Sequence, residues 1–297
     1  MKQLPAAIAT LFLLASCSFN GVFLQPTQVP AGAKRLTMSA NTDTTVVAFA
    51  PGTHQPVFLK NGRDTIHQDF SIESVVYKSS SGNLLNGWLL KPKGQKAAIT
   101  ILHLHGNAGF LLSQYQAISP LVAYGFQVFI FDYSGYGFSE GEASRDNVLL
   151  DALSSLDYLK GREDVKGTRL VLYGQSLGGH LSAVVGAQRQ NDMDALVIEG
   201  AFSSHKDIGA HRVPLLGRLI VKQGYSATRS IKEFHKPLLV IHSTEDKTIP
   251  FYMGKKIFAA ANAPKEFFEI RKCHICGPEF YAEEIAGKIR AMLEQVK

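Results

Sequence analysis

The sequence predicts an α/β fold, a mostly parallel central sheet flanked by helices, and three observations predict it. Short apolar runs rich in β-branched and aromatic residues recur along the chain. From Ala97 onward a segment of helical character follows each of them. The runs are nearly continuous in their apolar residues rather than alternating, the pattern of strands buried on both faces. With 297 residues, 45% of them apolar, the chain is long enough to bury such a sheet.

The first residues stand apart from that pattern. "MKQLPAAIATLFLLASC" has one cation at Lys2, an apolar run from Ala6 to Ala15 and small residues after it, which reads as a signal peptide over 1–16 and is too short to span a bilayer. Leu14-Ala15-Ser16-Cys17 resembles the bacterial lipobox, whose cysteine is lipidated and becomes the new N-terminus. That resemblance implies an exported envelope lipoprotein anchored to the membrane through Cys17, with more than one acyl chain to make the anchoring stable. Ser18 after the cysteine is compatible with sorting to an outer membrane. Residues 17–44, with "LQPTQVPAGAK", then read as a lipidated tether of low structural content, and 45–297 as the folded domain.

Within the domain the strands read in order as "TVVAF", "SIESVVYKS" and "NLLNGWLLK", the last two joined by a turn at "SSSGN". "AAITILHLH", "FQVFIFDY", "TRLVLYG", "DALVIEGA", "PLLVIHST" and "KEFFEIRK" follow. Helical segments are expected over 111–124, 144–160, 177–190, 252–261 and 278–295. Residues of about 203–237 break the alternation. They contain "VPLLGRLIVKQ", read as an amphipathic helix of a small cap over the carboxyl edge of the sheet, where open α/β sheets bind ligands. Lys206, Arg212, Arg218, Lys222, Arg229, Lys232 and Lys236 lie in this insert against only Asp207 and Glu233, so nearly all of the chain's net charge of +6 resides there. The insert lacks interleaved aromatics, so its basicity does not point to nucleic acid.

"LVLYGQSLGGHLSA" places Gly174-Gln175-Ser176-Leu177-Gly178 between a strand and a helix, the context that separates a nucleophile elbow from a chance G-x-S-x-G. In such a turn the first helical amides, Leu177 foremost, point at whatever Ser176 attacks and can hold a developing oxyanion. "LHLHGNAGF" follows an earlier strand and by position resembles the loop that offers a second amide in α/β-hydrolases, which implies Asn107 first and Ala108 as the alternative.

With HGNAG at 105–109, "FDYSGYGFSEG" at 131–141 and GxSxGG in that order, the chain resembles the α/β-hydrolase superfamily from about Gly82 to Val296. The resemblance implies the order nucleophile, acid, base. Asp246, just past "LLVIHS", is then the acid, with Glu199 the alternative; Asp132 reads as structural. His274, after "KEFFEIRK", is the base, with Cys273 and Ile275 where the family usually has a small residue before the base and a polar one after. His103, His105, His180 and His242 have no corresponding role. A metal is not expected, since no second Cys or His cluster completes a ligand set around His274, and no cofactor is expected either.

These residues predict acyl transfer through a covalent acyl-enzyme, with a small-molecule or lipid carboxylic ester or thioester as substrate. A peptidase or amidase of the same fold is the alternative, and a catalytically silent binding lipoprotein is the reading from a different class. Cys273 and Cys276 could form a disulfide around His274 or remain two free thiols.

Overall fold

In the computed structural model, residues 23–30, 32–40 and 43–295 are described, so the signal segment and Cys17 lie outside the described residues. The strands in chain order are β1 (Gln25–Pro26), β2 (Arg35–Ala40), β3 (Asp43–Phe49), β4 (Pro56–Lys60), β5 (Asp64–Thr65), β6 (Phe70–Lys78) and β7 (Leu84–Pro92). β8 (Ile99–Leu104), β9 (Ala108–Gly109), β10 (Phe126–Phe131), β11 (Arg169–Gln175), β12 (Ala195–Glu199), β13 (Leu238–Ser243) and β14 (Lys265–Ile270) follow. The main sheet has the order β14-β13-β12-β11-β8-β10-β7-β6. β14 through β10 run parallel, and the β6–β7 hairpin is added antiparallel at one edge.

Every residue of β10, β12 and β13 is buried, which accounts for their continuous apolar sequences. Successive side chains leave a strand on opposite faces. Leu102, Phe129, Leu172 and Leu196 accordingly join one apolar layer, while Ile101, Val128, Val171 and Val197 join the other. Helices Arg145–Gly161, Leu177–Arg189, Phe251–Ala260 and Gly277–Glu294 fall where the sequence predicts them. The first is capped by Ser144, whose hydroxyl accepts from the Asn147 amide at 3.0 Å.

Four expectations need correction. The helix over 111–124 is broken into Leu111–Gln114, Tyr115–Ala117 and Ser119–Tyr124, because Pro120 cannot donate to the preceding turn and disfavours helical geometry before it. In the insert, "VPLLGRLIVKQ" forms only the short helix Gly217–Ile220: Pro214 follows the helix His205–Arg212, and Leu215 takes φ 70. Arg218 and Lys222 therefore share no helical stripe. A second, four-stranded antiparallel sheet β2-β3-β4-β5 surrounds "TVVAF", which alone of its strands was expected.

The fourth correction moves the start of the fold. Residues 17–44 are not a structureless tether throughout, and the folded chain begins before 45. Phe23 and Leu24 are buried, and β1 pairs in parallel with β9. This N-terminal strap is stitched to the domain by backbone bonds, Gln25 N to Asn107 O (3.0 Å), Thr27 N to Gly109 O (3.0 Å) and Val29 N to Gly137 O (2.7 Å). Apolar side chains and satisfied amides together make packing more favourable than solvation for this stretch.

Candidate active site

β11 ends in Gln175 and the helix Leu177–Arg189 begins at once, leaving Ser176 at φ 55, ψ −113. A non-glycine residue in that region is strained, and the surroundings must hold it there. The Ser176 amide donates to Glu199 O at 2.9 Å, tying the turn to the end of β12. Gly178 permits the turn to close, since a Cβ there would stand 1.8 Å from Leu104 O. Leu177 is the first residue of its helix, so its amide has no carbonyl one turn back to pair with.

Two loops complete the arrangement. After β13, Asp246 Oδ1 accepts from the amides of Thr248 (2.8 Å) and Ile249 (2.9 Å). After β14, His274 places Nδ1 2.6 Å from Asp246 Oδ2 and Nε2 2.9 Å from Ser176 Oγ. Burial alone would raise the Asp246 pKa, but hydrogen bonds with His242 and His274 and the Ile249 amide outweigh it and hold the carboxyl below its usual range. A carboxylate that stays ionised fixes the imidazole tautomer with a proton on Nδ1, leaving Nε2 free to accept from the serine hydroxyl. Gly200, at φ 57, allows the ring this close, because a Cβ there would lie 3.1 Å from His274 Cε1.

The structure thus brings together Ser176, Asp246 and His274, and Ser176 lines a narrow pocket of about 40 Å³ together with Asn107 and Leu177. Phe23, Phe202, Ile208, Arg212, Thr248 and Ile249 complete its walls. Ala108, the alternative amide, belongs to β9. Glu199, the alternative acid, is engaged elsewhere: it accepts from Tyr173 Oη (2.7 Å), Gln175 Nε2 (2.8 Å) and Gly277 N (2.6 Å), and makes no hydrogen bond to His274. Asp132 accepts from the Leu111 amide at 2.6 Å in a fully buried site, and burial raises its pKa to about 7. His103 and His105 are also buried, which lowers them to about 3 and about 4.

Both cysteines beside His274 are free thiols, and Cys276 Sγ donates to Cys273 O at 3.0 Å. Burial and the neighbouring Cys273 push the Cys276 thiol up to about 12, far from the reactive thiolate range. The unusual flanks of His274 are accommodated by positive φ at Lys272 (89°) and Ile275 (49°).

Sequence reasoning missed four contributors. Gln175 is the variable residue before the serine, yet it spans the site, with Oε1 3.0 Å from His103 Nε2 and Nε2 donating to Glu199 and, at 3.3 Å, to Ile275 O. His242 Nε2 lies 2.9 Å from Ile249 O and 3.4 Å from Asp246 Oδ2, behind the acid. Gly200 and Phe23 carry no local motif. Only Gly200, in "EGA" at a strand end, had a turn signal that could have drawn notice.

Comparison with known proteins follows the same outline. Residues 99–221 match the family described as the alpha/beta hydrolase fold. The chain is 36% identical over 208 residues to the uncharacterized protein YfhR of Salmonella typhi, covering 65% of this chain and 71% of that one. Among solved structures it is similar to the esterase Pf2001 of Pyrococcus furiosus, with a TM-score of 0.62 at 20% identity over 76% of this chain and 93% of that one. It is also similar to Est1E of Butyrivibrio proteoclasticus with ferulic acid bound, with a TM-score of 0.62 at 18% identity over 75% and 98% of the two chains.

Proposed function

Because the chain belongs to the alpha/beta hydrolase family, we propose that it is a serine hydrolase that cleaves carboxylic ester or thioester bonds through a Ser176–His274–Asp246 triad. The observation that carries this reading is the unbroken run of hydrogen bonds from Ser176 Oγ through His274 to Asp246, at 2.9 and 2.6 Å, on a strained turn. In the first half-reaction, Ser176 Oγ attacks the acyl carbon as its proton passes to His274 Nε2. The oxyanion of the tetrahedral intermediate is held by the amides of Leu177 and Asn107. Collapse breaks the bond to the leaving alcohol or thiol, which takes the proton from His274. Water then repeats the sequence against the acyl-enzyme and releases the acid.

Similarity to Pf2001, which is described as an esterase, favours ester over amide chemistry for this chain. Cys17 would anchor the enzyme in the bacterial envelope, with acyl esters of small molecules or lipids as substrates. A fluorophosphonate probe is expected to label Ser176 in the wild type and to leave Ser176→Ala unlabelled. The same substitution should lower kcat/KM for a p-nitrophenyl ester by at least about 10⁴-fold. Label at another residue, or undiminished turnover by Ser176→Ala, would overturn the triad.

A further inference from the structure

The insert ends in a surface that the hydrolase reading does not use. Leu215 is 95% exposed, Leu219 80%, Leu216 58% and Val213 40%. Four large apolar side chains within seven residues form a protruding tip, and exposed apolar clusters of this kind mark interaction sites. Around them stand Lys206, Arg212, Arg218 and Lys222. The one carboxylate between His205 and Gly224 is Asp207, which is buried and already bound by Arg218 (2.9 Å) and Lys256 (2.5 Å). The tip is therefore apolar at its point and cationic at its base.

We infer that this tip docks on an anionic lipid bilayer, with Leu215, Leu216 and Leu219 entering the headgroup boundary and the cations resting on phosphates. Two further observations select this occupant. The tip begins directly after Arg212, and Arg212 and Ile208 line the Ser176 pocket together with Phe23. Only six peptide units separate Phe23 from Cys17, a span of at most about 20 Å, so a lipid on Cys17 would hold this same side of the molecule against the membrane. A second copy fits less well, because tip-to-tip contact would oppose cations of one sign. The inference rests on the hydrolase reading only for what the docked pocket would meet, namely an acyl ester presented by the bilayer.

Trp88 is the chain's single tryptophan and is 1% exposed, so a tryptophan placed on the tip reports its own surroundings. The full chain carrying Leu215→Trp is mixed with vesicles of brominated phosphatidylcholine, with or without phosphatidylglycerol. Val57→Trp, at a 43% exposed position on β4, serves as the reference. Expected is strong quenching of the tip tryptophan in phosphatidylglycerol vesicles, weaker at 0.5 M salt by screening of the cations, and little quenching at position 57. Equal quenching at both positions overturns the inference, as does none at the tip, with or without self-association of the chain.

Turnover gives the second arm. Leu215→Ser with Leu219→Ser should lower hydrolysis of a vesicle-borne ester by about tenfold or more, leaving a soluble short ester and fluorophosphonate labelling unchanged. A matching loss on the soluble ester would mean that the tip shapes the pocket and would end the proposal. Absence of labelling in the wild type would instead remove the hydrolase reading, while the quenching experiment still decides the docking.

Discussion

The turn that carries Ser176 and the loop that carries His274 both hold side chains in the left-handed half of backbone space, but they are held there by different means. At the serine turn, φ is 55, and exclusion does the work: Gly178 packs so closely on β8 that no side chain fits. Residues 271–276 contain no glycine, although Lys272 and Ile275 take φ of 89 and 49. Polar contacts with distant residues hold that loop. Ser243 Oγ donates to Lys272 O (2.9 Å), Gln175 Nε2 to Ile275 O (3.3 Å), and Gly277 N, just beyond the loop, to Glu199 Oε1 (2.6 Å). Steric exclusion is all-or-none, although it too acts against a residue far away in the chain, Leu104. Hydrogen bonding is graded and depends on residues far away in the chain.

The sharpest break in this comparison is Gly178→Ala. With Leu104 O at 1.8 Å from the new methyl, either β8 or the helix Leu177–Arg189 must move, and we expect a loss of about 5 kcal/mol or failure to fold. Urea unfolding measures it; a stable variant with wild-type labelling of Ser176 would mean the turn is not set by exclusion.

Acid should act next, and on the serine side. His103 and His105 underlie the turn, and burial lowers them to about 3 and about 4, below the unfolded value of about 6.5. The unfolded chain therefore binds protons first, so the stability these neutral rings contribute is intact above about pH 6.5 and declines as pH falls toward their folded values. From pH 7 to 5 the two together should cost about 4 kcal/mol, with proton uptake on unfolding. His105→Gln should recover about half of that decline. An unchanged pH slope in this variant would show that the ring is not buried neutral.

Much of this was legible beforehand because it is local. The central strands announce themselves by continuous apolar runs, and Ser176 by five consecutive residues. The flanking sheet was not legible: "RLTMSA" and "PVFLK" mix polar and apolar residues, and they become strands only by pairing with "TVVAF". Nor was Phe23, whose place in the pocket depends on β1 finding β9 some 80 residues away. Gln175 and Glu199 belong to the same class, since what they hold, the loop of His274, lies 78 to 100 residues onward.

Glu199→Gln sharpens the other half of the comparison. Both carboxylate oxygens of Glu199 accept hydrogen bonds, so an amide must turn its NH₂ toward at least one existing donor. A buried donor left unpaired costs about 2 kcal/mol. The His274 loop should then shift slightly against Ser176, lowering kcat about tenfold with little change in KM, because misplacing the base weakens the transition state more than ground-state binding. Equal effects on both constants, or none on kcat, would mean that Glu199 only fills space behind the site.

The smallest effect is expected where the His274 loop is strained and exposed. Lys272 sits at φ 89 with its side chain outward, so Lys272→Gly removes no buried atom while relieving a conformation that costs an ordinary residue about 1–2 kcal/mol. The added freedom of glycine in the unfolded chain returns about 0.5–1 kcal/mol of that. A net stabilisation of about 0.5 kcal/mol should remain, read from the urea midpoint at unchanged m-value. Labelling of Ser176 should be unaffected, since the Lys272 backbone contacts to Ser243 and Glu245 do not involve the side chain. Destabilisation would show that Lys272 is held by its side chain over the Phe280 ring, at 5.8 Å, rather than by the backbone contacts assigned here. The contrast with Gly178 would then lose its meaning, because both loops would depend on side-chain packing.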